Sequence, residues 1–170
     1  MSVPKRLEFL AGGSEMAKRM FEFDFSDTPL GPVPGWPQSL RSAVNICLTT
    51  NFPIVLFWGP QLAVLYNDAY IPMLADKHPW ALGKTCEAVW NEIFDVIGPL
   101  LMEVMKTGVP FSTEDFLFIM QRKGYKEETH FQFSYGAARD ESGAVGASFV
   151  SRWRLPSACS MNGGWRHSAI

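Results

Sequence analysis

The sequence predicts an α+β domain built on a five-stranded antiparallel sheet, with its helices packed on one face. Three observations lead there. Two short apolar runs, Ile54 to Trp58 and Leu62 to Tyr66, flank a Gly59-Pro60 turn and read as a strand pair. Segments with helical spacing follow, as far as Thr107-Gly108. Beyond Phe111 the apolar period changes to two, and three further strands fit before residue 151.

Composition narrows the class. The chain has 170 residues, enough for one domain with its own core. A net charge of -2, with only 19% charged residues, leaves no basic patch for nucleic acid. Hydrophobic residues make up 47%, which argues against wholesale disorder. Aromatic content is 14%, with thirteen Phe and six Trp, and two readings fit it: a Phe-rich core, or an aromatic-lined pocket for a small molecule. Cys47, Cys86 and Cys159 share no metal-ligand spacing and point to a reducing compartment. The opening MSVPKRLEFLAGG lacks the apolar core of a signal peptide. No run of about 18 apolar residues exists to span a membrane. The expected location is the cytoplasm, without membrane contact.

Taken in order, residues 1–13 form a leader. Ser14 is a candidate cap for a short helix with Met16, Met20 and Phe21 at helical spacing. Ser26 to Trp36 carries three prolines and two glycines, so it is an extended connector. Pro37 suits the first position of a helix whose apolar face is Leu40, Ala43, Val44, Cys47 and Leu48, with Arg41 and Asn45 off it. Cys47 on that face reads as a small buried hydrophobe rather than a reactive thiol. After the strand pair, Asp68 can cap a helix from Ala69 to Leu74. Residues 76–84 are a loop, Glu87 to Ile93 a second short helix, and Val96 to Met105 a longer one that Gly108 stops. Phe116 to Met120 is apolar at every position, which means a strand buried on both faces or one that pairs across an interface. Lys123-Gly124 is a hairpin turn. Phe131, Phe133 and Tyr135 then alternate with His130, Gln132 and Ser134. Arg139 to Gly143 is a polar turn, and Val145, Ala147 and Phe149 are the expected inward face of the last strand.

The order of these elements and their wording resemble a PAS domain, in particular the type near the N-terminus of bacterial hybrid sensor histidine kinases. The phrases that carry the resemblance are TPLGPVPGWPQSLRSAVNICL, FPIVLFWGPQLAVLYNDAYIPML, KHPWALGK, VWNEIFDVIGPLLMEVMKTG and HFQFSYGAARDESGAVG. The resemblance covers roughly residues 14–150, and these phrases fall between Thr28 and Gly146. The resemblance implies the strand order 2-1-5-4-3, a helical crossover over one sheet face, and a pocket between. It also implies a role: a sensory or dimerising module without catalysis, which regulates a histidine kinase core in cis within a two-component system. A homodimer and a small-molecule ligand are the expected partners. On this reading residues 1–36 are leader, helix and connector, 37–150 the PAS domain, and 151–170 an atypical tail.

Candidate ligand contacts are Trp58, Tyr66, Asn67, Trp90, Phe116, Phe118, Phe133 and Tyr135, with Phe131 in the same aromatic pool. Asn67-Asp68 matches the family's strand-end Asn/Asp position, where a helix cap competes with ligand contact as its role. In some PAS proteins a histidine near the position of His78 binds haem iron; here it precedes Pro79 in a loop without a second motif. Cys86 invites comparison with the flavin-reactive cysteine of LOV domains, but the Asn-Cys-Arg-Phe motif is missing. The residues thus argue against both haem and flavin, and no metal site is expected. His130 falls on the polar face of its strand. Glu114, Asp115, Glu127 and Glu128, flanking Lys123 and Lys126, read as a solvated hairpin surface. No nucleophile–base pair is recognisable. The competing functions are a ligand-free dimerisation scaffold and a small-molecule enzyme on an α+β scaffold. The tail has no apolar period; an out-of-frame reading of GC-rich codons for residues 152–169 yields an amphipathic peptide. Two readings fit: a divergent native tail, disordered or packed locally, or the product of a shifted reading frame, for which residues 151–170 are expected to be poorly ordered.

Overall fold

The computed structural model describes residues 9–10, 13–121 and 126–154. The expected Lys123-Gly124 turn and the expected disorder beyond Arg154 lie outside them. The elements are α1 (Glu15–Glu22), α2 (Gln38–Thr49), β1 (Ile54–Trp58), β2 (Ala63–Tyr66), α3 (Ile71–Leu74), α4 (Cys86–Val89), α5 (Phe94–Thr107), β3 (Phe111–Gln121), β4 (Lys126–Arg139) and β5 (Val145–Arg154). The strands form one antiparallel sheet in the order β2-β1-β5-β4-β3. This is the order expected from the resemblance. The last strand runs past Val150 to Arg154, where it pairs with Phe131.

Burial explains the apolar runs. Val55 to Phe57 and Ala63 to Tyr66 are buried at every position, so both faces of β1 and β2 are covered. Helix α2 lies against both strands. It buries Leu40, Val44 and Cys47, spaced one helical turn apart. From the N-terminal extension, Leu10, Met16, Met20, Phe25 and Trp36 join the same core as the sheet. Helix α5 buries Ile97, Leu101 and Val104, and ends where Gly108 takes the left-handed conformation (φ 70°) that a side chain would resist.

Several local expectations need correction. Pro37 is the residue before α2, not its first helical residue, and has no side chain with which to cap. Glu141, 102 residues beyond Ser39, does that instead: Ser39 N–H donates to Oε1 at 2.6 Å and Ser39 Oγ–H to Oε2 at 2.9 Å. Asp68 does not cap the helix that follows it. The cap there is Asn67, and a 3-10 turn (Asp68–Tyr70) precedes α3. Asp68 accepts from the N–H groups of Glu15 and Met16 at 2.9 and 2.8 Å, satisfying the open end of α1. The helix expected over Glu87 to Ile93 stops at Val89. Trp90 leaves the helical region (φ -120°, ψ 36°), so that both it and Ile93 turn into the core. In β5, Ser148 is opposite Phe57 and so shares its face; the inward parity falls on 148 rather than 147. Both positions are nonetheless fully buried.

The strand β3 settles one open alternative. Phe118 is buried, whereas Leu117 and Ile119 are 47% and 55% exposed. The apolar run is therefore not buried on both faces within this chain. It lies at the sheet edge with an uncovered outer surface.

Two outcomes follow from the carboxylate caps. Asp68→Ala should cost about 1 kcal/mol, with faster amide hydrogen exchange at Glu15 and Met16 and unchanged exchange in β4 and β5. Exchange that accelerates throughout the sheet would contradict this local role. The second outcome concerns acid. The Ser39 N–H donating to Glu141 holds its carboxyl below the ordinary 4.5, and the Ser142 hydroxyl does the same for Asp140 below 3.8. Stability from these groups is present in full above those ordinary values and is lost as pH falls through the lower folded values. Urea midpoints should therefore drop with acid below about pH 4.5, and Glu141→Gln should flatten that drop.

Candidate functional site

Between the sheet and the helical crossover lies a cavity of ≈ 20 Å³. Phe57 comes from β1, Phe118 from β3, Phe133 and Tyr135 from β4, and Ile97 from α5; Tyr70, Trp90 and Ile93 come from the crossover. Strand periodicity places the sheet residues. Phe118, Phe133 and Tyr135 stand on the inner face, with Phe118 and Phe133 stacked and Tyr135 tilted against Phe133. Phe118 and Phe133 lie 5.8 Å apart at 28°, and Phe133 and Tyr135 4.8 Å apart. The space left among them suits about one water molecule.

Four of the eight candidate ligand contacts, Trp90, Phe118, Phe133 and Tyr135, line this cavity. The other four do not. Phe116 is half-buried and leans on Phe118 at 4.7 Å. Trp58 borders a separate surface groove with Met102 and Met105. Tyr66 is fully buried, and its hydroxyl meets His78 Nδ1 at 2.9 Å. Burial pushes the Tyr66 pKa up. Asn67 uses its whole hydrogen-bonding capacity on backbone: Oδ1 accepts from Ile54 N–H (3.0 Å) and Tyr70 N–H (3.2 Å). Its Nδ2 donates to the carbonyls of Thr50 (2.9 Å) and Phe52 (2.7 Å). An amide has two donors and two acceptor sites, so nothing is left for a ligand.

Sequence reasoning missed Phe57, Tyr70, Ile93 and Ile97 as lining residues. For Phe57 a signal existed, since it precedes Trp58 and therefore has the opposite strand parity. The others depend on how the irregular crossover folds. Also missed was a cluster behind Trp90: Lys77 Nζ stands 4.4 Å from the centre of its ring and donates to Glu92 at 2.6 and 2.8 Å.

The chemistry of reactive groups is muted. Desolvation raises the Cys47 thiol to about 12 and raises Cys86 as well, so both stay protonated. Cys86 does not line the cavity. Both ring nitrogens of His78 are engaged, Nε2 with Glu15 at 3.1 Å. On β4, His130 meets Asp115 of β3 at 2.6 Å on an exposed surface. Among the described residues, no three His, Cys, Asp or Glu side chains group as metal ligands. Nor is any described helix long and apolar enough to cross a membrane.

No protein-family model matches the sequence, and no curated protein does. Solved structures do match. The chain is similar to the LOV protein of Rhodobacter sphaeroides, with 13% identity and a TM-score of 0.54, over 71% of this chain and 69% of that one. It is similar to the phage VqmA solved as a complex with DPO, with 14% identity and a TM-score of 0.52, over 72% of this chain and 55% of that one. A PAS domain of a protein from Colwellia psychrerythraea matches at 9% identity and a TM-score of 0.50, over 68% of this chain and 96% of that one. At such identities the likeness speaks for the fold, and the fold is that of PAS and LOV domains. The likeness to LOV proteins raises flavin again. As packed, the aromatic cavity fits neither a flavin ring system nor haem, and His78 has no lone pair open to iron.

Two buried polar groups make opposite predictions. Asn67→Ala removes the side-chain partner of the Ile54 N–H and of the Thr50 and Phe52 carbonyls, while Tyr70 N–H keeps its bond to the carbonyl of residue 67, and should cost about 3 kcal/mol in urea unfolding. Ser148 is fully buried, and its hydroxyl has no partner among the described residues. Ser148→Ala should leave stability within about 1 kcal/mol of the parent or raise it.

Proposed function

We propose that this chain is a sensory module of signal transduction, without catalysis of its own. Its cavity takes a small molecule, and the occupied state regulates a histidine kinase core carried in cis by longer relatives in bacterial two-component systems. The observation that carries the reading is the cavity itself. Its walls come from three strands, from α5 and from the crossover, so a guest must shift these parts against one another. A ligand transmits only if it binds one arrangement more tightly than the other. The buried, protonated thiols and the fully engaged His78 support the non-enzymatic reading. The complex of the phage VqmA with DPO offers a parallel for a bound partner on this fold.

One observation favours a second reading. Leu117 and Ile119 expose apolar surface on the outer face of β3, as a homodimer interface would. A scaffold that dimerises without a ligand uses that face alone.

Native mass spectrometry of the purified protein separates the readings. A retained small molecule, or uptake of added benzene that Ile97→Ala enhances by widening the cavity, supports sensing. An empty dimer that takes up nothing, and that Leu117→Glu converts to monomer, replaces the sensor with the scaffold.

A further inference from the structure

We infer that Lys77 sets the size of the cavity, and so the class of guest it admits, by clamping Trp90 against it. The inference rests on the cavity being the sensing site. Trp90 is one wall, 2% exposed. Its backbone is the C-cap of α4, with its N–H still bonded to the Cys86 carbonyl at 2.8 Å, but its ψ of 36° has left the helix, so contacts of the indole itself set where the ring lies. Over that ring stands the ammonium of Lys77, 4.4 Å from its centre. That ammonium is itself fixed. It donates to both carboxylate oxygens of Glu92 and to the carbonyl of Val89, the last residue of α4. Both side chains are mostly buried, at 15% and 17% exposure, so the pair is poorly screened by solvent. Lys77 does not border the cavity. It covers the ring from a site that still reaches water.

The geometry assigns a guest class. With the clamp closed, the cavity holds about one water, and its lining is almost wholly aromatic and aliphatic. Only an atom-sized apolar guest such as xenon enters without moving a wall. Releasing the Trp90 indole, whose placement rests on side-chain contacts while its backbone stays bonded, opens room on the scale of a ring. The guest that works the sensor is then a small, uncharged, planar molecule that displaces the indole. Charged molecules are excluded because the lining offers no counter-ion.

The test compares the parent with Lys77→Met, Lys77→Arg and Glu92→Gln. Two readouts are used: benzene affinity by NMR titration, and solvent exchange of the Trp90 indole N–H, whose resonance is identified by its loss in Trp90→Phe. Lys77→Met should speed that exchange and tighten benzene binding, each by about tenfold, the factor a lost cation–π contact can supply. Lys77→Arg keeps the cation over the ring and should stay within about twofold of the parent. Glu92→Gln loosens the ammonium without removing it, and should move both readouts in the same direction by less. It also serves if Lys77→Met folds poorly. Unchanged indole exchange in both Lys77→Met and Glu92→Gln overturns the clamp, whatever benzene does. Faster exchange with no benzene uptake by any variant leaves the clamp standing as a packing device, and overturns both its role in guest selection and the sensor reading.

Discussion

Much of the fold hangs on the saturated amide of Asn67. It sits where β2 ends and the helical crossover begins, buried to 2% exposure. Four chain segments must meet there: the end of α2, the entry to β1, the end of β2 and the turn before α3. The side chain of Asn67, at the end of β2, meets the carbonyls of Thr50 and Phe52, the N–H of Ile54 and the N–H of Tyr70. A buried unpaired amide or carbonyl costs about 1–3 kcal/mol, so the junction is stable only if something answers all of them. Asn67 answers four from one side chain. No apolar residue could do this, and Asp would bring a charge and lose the two donors. The sheet and the crossover can separate to enclose a cavity because they are joined so firmly at this corner.

Elsewhere the parts are fastened by carboxylates placed at open helix ends. Asp68 closes α1 and Glu141 closes α2, across 52 or 53 and 102 residues of sequence. Each puts a negative charge at a helix N-terminus, where free N–H groups and the helix dipole favour it. The extension is thus fixed to the body by its backbone as well as by Met16 and Met20 in the core. The loop after α3 is held by neighbouring residues that reach in different directions. Lys77 grips Glu92 and the ring of Trp90, while His78 bridges Tyr66 and Glu15. One short turn therefore touches the cavity wall, the sheet and the N-terminal helix.

The sheet was legible in the sequence because strand parity is a strict code. The alternation of Phe131, Phe133 and Tyr135 fixed a face, and the three rings are indeed buried together. Long helices were legible for the same kind of reason: α2 and α5 carry apolar residues one turn apart over three or more turns. The crossover was not. Its helices have four residues each, too short for a period to declare itself, and Trp90 leaves helical geometry because its side chain belongs in the core. Caps misled in a related way. Asp68 looks like a local cap because local caps are what a sequence displays, whereas its partner lies in α1. In β5 the residues at 145, 147 and 149 are the more apolar set, but pairing with Phe57 puts Ser148 on the cavity side. Polarity alone could not give that parity where both faces are covered.

The division between fixed and adjustable parts bears on how such a module could signal. The strands that wall the cavity are held by backbone ladders, and Asn67 pins one end of the crossover. Between Asn67 and α5 the crossover has little regular structure of its own. Its later part is tied to β2 by backbone, with Val64 N–H donating to the carbonyl of Lys84, Gly83 N–H to that of Val64 and Cys86 N–H to that of Leu62. The loop at Lys77-His78 and the Trp90 wall rest on side-chain contacts: Tyr66 with His78, Lys77 with Glu92, and the rings around the cavity. Side-chain contacts can be exchanged for others of similar energy; a buried backbone ladder cannot. On the sensory reading proposed above, a guest would rearrange these side-chain contacts before it moved the sheet. His78 is bonded to Glu15 of α1, so displacement of that loop also reaches the N-terminal helix. On that proposed reading, the contacts of Tyr66 with His78 and of His78 with Glu15 would join the sheet to the N-terminal helix.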